Sequence, residues 1–362
     1  MPNIPDLPGG FTPVYVTSIL QEGGCLPTGG SVSKVGYEMV GDGTGMSSEL
    51  ARLHLSYDGD MGEAPQTVIC KFLPNNETNR VSAMAFHLPE REVRYCAELD
   101  PLTDAVTPRT FYTHFDGDGF LIVMEDLAAY EVGSQVEGAT LRQTELAIDE
   151  LAKLHSAFWG KVDDLDWVPG IANSYHAEAL AGGSAIGWPN MEERFEVPGS
   201  VSKHSERFQA VIPALQEERM SAPITLVHGD FRMENVMYGH EPGQHEIVVF
   251  DWQGPLKARG MFDVSLFLGQ STKTEVRREH ERAILERYLE GLRAGGVTGV
   301  GWDFIWEDYQ RCMLYNWVYT SVVAGTLDVS NEVAKAWMSK MVSRHATASE
   351  DLDVFRFLPD YA

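Results

Sequence analysis

The run Leu226-Val227-His228-Gly229-Asp230-Phe231-Arg232-Met233-Glu234-Asn235-Val236-Met237-Tyr238 constrains this chain more than any other. Asp230 and Asn235 stand five residues apart on one loop, and 21 residues beyond Asp230 the apolar run Val248-Val249-Phe250 ends in Asp251, followed by Trp252 and Gln253. Phosphoryl transfer asks for this set of groups. An aspartate must take the proton of an attacking hydroxyl and hold it in line, while a carboxylate and an amide oxygen hold magnesium against a triphosphate. Magnesium prefers hard oxygen ligands, which Asn235 and Asp251 supply. The loop aims Asp230 at a substrate and Asn235 at the metal, and the strand before Asp251 gives that carboxylate a rigid platform.

The rest of the chain changes character partway along. Ser33 to Val40, Glu49 to Tyr57 and Thr67 to Leu73 read as strands punctuated by glycine, the pattern of an antiparallel sheet. Glu90 to Leu99 reads as a helix with Val93, Tyr95 and Cys96 inward, and Phe120 to Met124 as a buried strand. Leu141 to Trp159 carries apolar residues at helical spacing, Ile224 to Val227 and Ile247 to Phe250 read as strands, and the chain from Glu275 onward reads as helical. Met313 to Leu327 reads as one buried helix. The order is a strand-rich part over residues 1–127 and a helix-rich part over residues 128–362.

The Asp230 segment resembles the catalytic loop, HGDxxxxN, of the aminoglycoside phosphotransferase and choline kinase superfamily. Its Asp251-Trp252-Gln253 continuation is similar to the ecdysteroid-kinase-like branch and its bacterial relatives. The resemblance spans roughly residues 30 to 270 and implies an α+β, two-lobed protein-kinase-like fold, with an antiparallel-sheet N-lobe and a helix-rich C-lobe. It implies ATP and Mg2+ as cofactors, Asp230 as catalytic base, Asn235 and Asp251 as magnesium ligands, and His228 as a brace for the loop. Lys71, in Val68-Ile69-Cys70-Lys71-Phe72, would neutralise the α- and β-phosphates, held by a helix glutamate: Glu92, with Glu90 the alternative. Gly41-Asp42-Gly43-Thr44-Gly45-Met46-Ser47-Ser48 would cover the nucleotide, Gly43 and Gly45 letting backbone amides approach the phosphates and Ser47 and Ser48 donating hydroxyls. Glu125 and Leu127, in Met124-Glu125-Asp126-Leu127, resemble the linker whose backbone bonds the adenine. Asp263 resembles a carboxylate that caps the catalytic loop's backbone, and His155 is assigned to packing. Arg232 is placed either to neutralise charge on the transferred phosphoryl group or to pair with Glu234.

Composition narrows the acceptor. With 53 acidic against 28 basic residues the net charge is −25, which repels nucleic acid and anionic lipid. The N-terminal ten residues lack lysine and arginine and do not read as a signal peptide, and four scattered cysteines without a CxxC pair suit a reducing cytoplasm. The short run from Asn235 through Asp251 to Asp263, with no Ala-Pro-Glu after it, leaves no activation segment and argues against protein substrates. The expected activity is therefore an ATP-dependent kinase for the hydroxyl of a small molecule. Trp159, Trp167, Trp188, Trp302, Trp306, Tyr309, Tyr315, Trp317 and Tyr319 either line a pocket for an apolar alcohol or pack the core. The acidity favours an aminoglycoside or choline-type amino alcohol, and a hydroxyacyl thioester is a further acceptor. The alternative from another class is a nucleotide-binding kinase-like protein without turnover.

Overall fold

In the computed structural model, which describes residues 4, 8–41 and 48–359, the chain forms two compact units. The first comprises Met1–Leu102, Thr107–Ala129 and Phe250–Gly254. It opens with α1 (Pro13–Glu22), whose Thr12 hydroxyl accepts from the Tyr15 N–H and whose first position is a proline already set for helical φ. The strands β1 (Gly30–Val40), β2 (Glu49–Gly59) and β3 (Thr67–Phe72) follow, then helices α2 (Glu77–Ala85) and α3 (Leu88–Arg94), then β4 (Thr110–Phe115) and β5 (Phe120–Glu125). They make one antiparallel sheet in the order β1-β2-β3-β5-β4.

Strand alternation gives this sheet two apolar faces. Val68, Cys70 and Phe72 join Val16, Ile19, Leu20, Leu53 and Leu121 in one core cluster, beneath α1. Val93, Phe120 and Ile122 form a second cluster on the α3 side. Cys96 is half-buried, and the helix expected over Glu90 to Leu99 is an α-helix only to Arg94, after which Tyr95–Leu99 makes a π-helical turn. Such turns interrupt a helix to re-aim side chains and recur at functional sites.

The second unit comprises Thr103–Val106, Tyr130–Val249 and Pro255–Ala362. Its elements are β6 (Glu131–Val132), α4 (Leu141–Phe158), α5 (Tyr175–Arg194), α6 (Gly199–Ser202), α7 (Ser205–Arg219), β7 (Thr225–Val227), β8 (Val236–Tyr238), β9 (Ile247–Val249) and β10 (Leu256–Ala258). Helices α8 (Met261–Leu266), α9 (Thr274–Ala294), α10 (Trp302–Tyr315), α11 (Trp317–Thr326) and α12 (Glu332–Asp351) complete it. Two small sheets, β6-β8-β9 and β10-β7, flank the loop that carries Asp230. A capping box between Thr140 and Gln143 starts α4, whose apolar stripe packs against α9.

The single helix expected over Met313 to Leu327 is two, broken at Asn316. The buried Asn316 amide donates to the Phe262 carbonyl (3.1 Å) and to Ser265 Oγ (2.8 Å), so a side chain that would be idle in a helix ties the break to α8. Beyond it, α11 lies against α5 with backbone nearly touching backbone. A Cβ added at Gly325 would lie 1.9 Å from the Gly187 carbonyl oxygen. Trp188, Tyr309, Tyr315 and Trp317 are core residues, which settles those four of the aromatic candidates as packing. No helix among the described residues is long and apolar enough to cross a membrane.

Candidate active site

Lys71 lies one position before the end of β3 and, by the strand's alternation, faces away from Cys70 and the α1 side. It is 6% exposed. A lysine so buried must be paired, and its Nζ lies 2.7 Å from Glu92 Oε1 and 2.6 Å from Asp251 Oδ1. Glu92, not Glu90, is the partner, because α3 turns Glu92 inward while Glu90 stays half-exposed beside His87 and Arg94. Burial works against the ammonium, but the charges of Asp251 and Glu92 outweigh it and hold Lys71 protonated. Burial pushes Glu92 upward, with Lys71 pulling against it.

Asp251 reaches Lys71 through an uncommon backbone. Its φ is 65°, in the left-handed region that aspartate tolerates better than most residues. Its Oδ2 accepts from Gln253 Nε2 at 3.2 Å. The next residue, Trp252, stacks on Tyr95 with ring centroids 3.9 Å apart and planes within 4°. Tyr95 opens the π-helical turn after α3, so the aromatic pair ties the Asp251 segment to the element that carries Glu92.

Other candidates in this unit fall into place unevenly. Gly43, Gly45 and Ser47 lie outside the described residues, and Ser48 is half-buried immediately before β2. Glu125 ends β5, and its carboxylate accepts from the Arg109 N–H at 3.2 Å. Asp126 is gripped by the Arg52 guanidinium at 2.8 and 3.3 Å, and Leu127 is buried. The acidic side chains of this segment are thus occupied locally.

In the second unit, β7 delivers the chain into a loop braced from beneath. Asp263, fully buried on α8, accepts from the His228 N–H (2.6 Å) and the Gly229 N–H (3.1 Å). Its Oδ2 also lies 3.3 Å from His155 Nε2, and His155 Nδ1 lies 2.8 Å from the Tyr288 hydroxyl. His155 therefore does more than pack. Gly229 turns at φ 84°, a conformation that favours glycine, and the Asp230 N–H donates to His228 Nδ1 at 3.3 Å.

That scaffold presents Asp230 with three partners. Asn235 Nδ2 donates to the Asp230 carbonyl (2.7 Å) and to Oδ2 (3.1 Å), leaving its own amide oxygen for another ligand. Arg232 Nε stands 3.4 Å from Oδ1, while Arg232 Nη1 pairs with Glu234 at 2.6 Å and the guanidinium lies 4.7 Å from the Trp337 ring centroid. Of the two readings of Arg232, the pair with Glu234 is the one seen here. The third partner is Tyr319, whose hydroxyl donates to Asp230 Oδ1. From the sequence Tyr319 is one of the aromatics that either line a pocket or pack the core, since nothing local marks a residue so far along the chain as a neighbour of Asp230.

The profile of the ecdysteroid kinase-like family matches residues 42–159 and 187–295, more than half of the chain. No curated protein sequence matches it. Among solved structures, a microcompartment-associated aminopropanol kinase is similar with a TM-score of 0.56 at 15% identity, over 95% of this chain and 99% of that one. A choline kinase from Cryptosporidium parvum Iowa II gives 0.55 at 8%, over 94% and 97% of the two chains. The GDP complex of an aminoglycoside 2′-phosphotransferase-IIIa variant gives 0.52 at 13%, over 96% and 99%. At these identities the likeness is one of fold, and it bears out the protein-kinase-like α+β class expected from the sequence. The Asp230 loop and the Lys71 strand thus stand in a known scaffold, and the chain belongs to the ecdysteroid kinase-like family.

Proposed function

We propose that this protein is a kinase that moves the γ-phosphoryl group of ATP onto a hydroxyl of a small molecule. The observation that carries the reading is Lys71, buried between Glu92 and Asp251. Burying one ammonium with two carboxylates is a poor way to stabilise a fold, because desolvation offsets most of the attraction. It is a good way to keep a charged lysine ready for phosphate oxygens.

Under this reading Lys71 bonds the α- and β-phosphates and Glu92 keeps its ammonium aimed. Asp230 accepts the hydrogen bond of the acceptor hydroxyl and takes its proton as the new O–P bond forms and the bond to the β-phosphate oxygen breaks, releasing ADP. Asn235 and Asp251 would hold magnesium, which when bound neutralises charge on the triphosphate. The donor set fits: a carboxylate and an amide oxygen are hard ligands, and magnesium is commonly held by few protein groups plus substrate phosphates. Arg232 offsets charge on the transferred group while Glu234 and Trp337 hold it in place.

The test is ADP release from Mg–ATP with an ecdysteroid, choline, an aminoglycoside and 1-amino-2-propanol as acceptors. The family name puts the ecdysteroid first, and the net charge of −25 keeps the three amine-bearing acceptors in the panel. At least one acceptor should be phosphorylated, and Asp230→Ala should cut turnover by about a thousandfold or more while ATP still binds. Tight ATP binding with no transfer to any acceptor or to water would favour a nucleotide-binding protein without turnover.

A further inference from the structure

Asp230 has a partner that phosphoryl transfer does not itself call for, the hydroxyl of Tyr319. A tyrosine packed largely away from water, as the half-buried Tyr319 is, usually finds its hydroxyl a hydrogen-bond partner, and a neutral one suffices. Tyr319 instead reaches the carboxylate read here as the catalytic base. The helix that carries it does not depend on that bond. Asn316, at the start of α11, is tied to Phe262 and Ser265, and Thr320 meets His345 Nδ1 at 2.6 Å and accepts from Gln270 at 2.9 Å. Ser321 shares a 2.7 Å hydrogen bond with Ser184 on α5, and Asn190 donates to the Gly325 carbonyl at 3.1 Å. With α11 anchored on both sides of Tyr319, the phenol is a fixed point and Asp230 is what it fixes.

We infer that Tyr319 is a positioning residue for the transfer reaction: it holds Oδ1 of Asp230 while Asn235 holds Oδ2, setting the carboxylate plane that the acceptor hydroxyl meets. This rests on the reading of Asp230 as the base. A carboxylate oxygen accepts more than one hydrogen bond, so the acceptor hydroxyl can join Tyr319 on Asp230 without displacing it. Burial, followed by the charge of Asp230, pushes the phenol well above its ordinary pKa. Tyr319 therefore stays a donor and leaves the acceptor's proton to Asp230. Without the phenol, Oδ1 keeps only the longer ion-pair contact with Arg232 at 3.4 Å and the carboxylate gains a torsion, and small misplacements of a reacting group are costly.

The experiment is Tyr319→Phe, which removes one oxygen. It is assayed as labelled phosphate release from Mg–ATP to water and as phosphorylation of the acceptors named above. The expected result is a kcat lower by about 10- to 100-fold, with KM for ATP and acceptor within about threefold of wild type. On an Asp230→Ala background the same change should cost nothing more, since a residue that acts only through Asp230 has nothing left to position. A kcat within about twofold of wild type, a loss that multiplies with that of Asp230→Ala, or a rise in KM alone would overturn the proposal. So would a fall in melting temperature beyond about 5 °C, which would make the phenol a stability element. If Asp230→Ala keeps the wild-type rate, or wild type transfers to neither water nor alcohols, the functional reading falls and takes Tyr319 with it. If Asp230→Ala is inactive and Tyr319→Phe is normal, only the Tyr319 inference falls.

Discussion

Lys71 and Asp230 are each gripped by several partners, but the grips differ in kind. Around Lys71 every bond runs from side chain to side chain and between full charges, with Glu92 and Asp251 competing for one ammonium. Around the Asp230 loop the deeper bonds go to backbone: Asp263 holds two successive N–H groups, and His155 and Tyr288 stand behind it. The first arrangement is held by side chains alone. The second fixes the chain itself. Under the proposed function, nucleotide handling falls to paired side-chain charges and acceptor handling to a loop braced through its backbone.

The largest expected effect breaks the rigid side of this comparison. Asp263→Ala leaves the His228 and Gly229 N–H groups and His155 without their buried acceptor, and each such orphan costs about 1–3 kcal/mol. Denaturant unfolding should show a loss of about 3–4 kcal/mol. A loss below about 1 kcal/mol would mean that the loop does not lean on this carboxylate.

A smaller effect sharpens the charged side. In Lys71→Met/Glu92→Leu the two buried charges are replaced by apolar groups of similar size, which is commonly neutral for stability, and Asp251, 22% exposed, is left to water. The melting temperature should stay within about 3 °C, while kcat/KM for ATP falls about 100-fold, near 2.7 kcal/mol of transition-state stabilisation. A variant that melts early yet handles ATP normally would reverse the two roles.

The smallest effect separates the regions by pH. Burial pushes His345 down from its ordinary 6.5 to about 4, the Met313 carbonyl opposing, so the folded chain holds it neutral beneath α11. The unfolded chain takes up this proton first. The neutral form's stability is therefore whole above pH 6.5 and is lost as pH falls from 6.5 toward 4. Between pH 6.5 and 5 this one group should remove about 2 kcal/mol, a slope that His345→Gln should flatten in unfolding titrations. Equal slopes in both proteins would show that the histidine is not the acid-sensitive element.

The parts of the site that were legible in the sequence are those whose chemistry is local. His228 to Asn235 is one loop, Asp251 ends an apolar run, and Lys71 is a charge on an otherwise apolar strand. Asp263 as a cap on the loop came from the family resemblance alone, and its bonds to the His228 and Gly229 N–H groups agree with it. Tyr319 and the Trp252–Tyr95 stack were not legible, because each joins segments far apart in sequence and neither residue type is unusual where it stands. Of the fold, β1, β2, β3, β5 and α4 announced themselves by their apolar patterns, while β4 was not read. The helix α5 did not announce itself either, since Gly182, Gly183, Gly187 and Pro189 lie within it and blur its amphipathic stripe. Two of those glycines are placed for contact: a Cβ at Gly187 would lie 2.2 Å from the Ser321 carbonyl oxygen, and one at Gly183 3.1 Å from the Val322 side chain. Asn316 was read as a polar interruption within one helix, whereas its bonds to α8 divide two.

The near-contact of Gly187 and Gly325 bears on the order in which the chain matures. During synthesis α5 leaves the ribosome long before α11, and a helix rich in glycine with a proline inside it has little reason to persist alone. Its stability arrives with its distant mate. A nascent chain halted short of residue 317 would hold the Asp230 loop in hand and yet lack the helix that packs on α5, so this part of the second unit is completed only once α11 has been made.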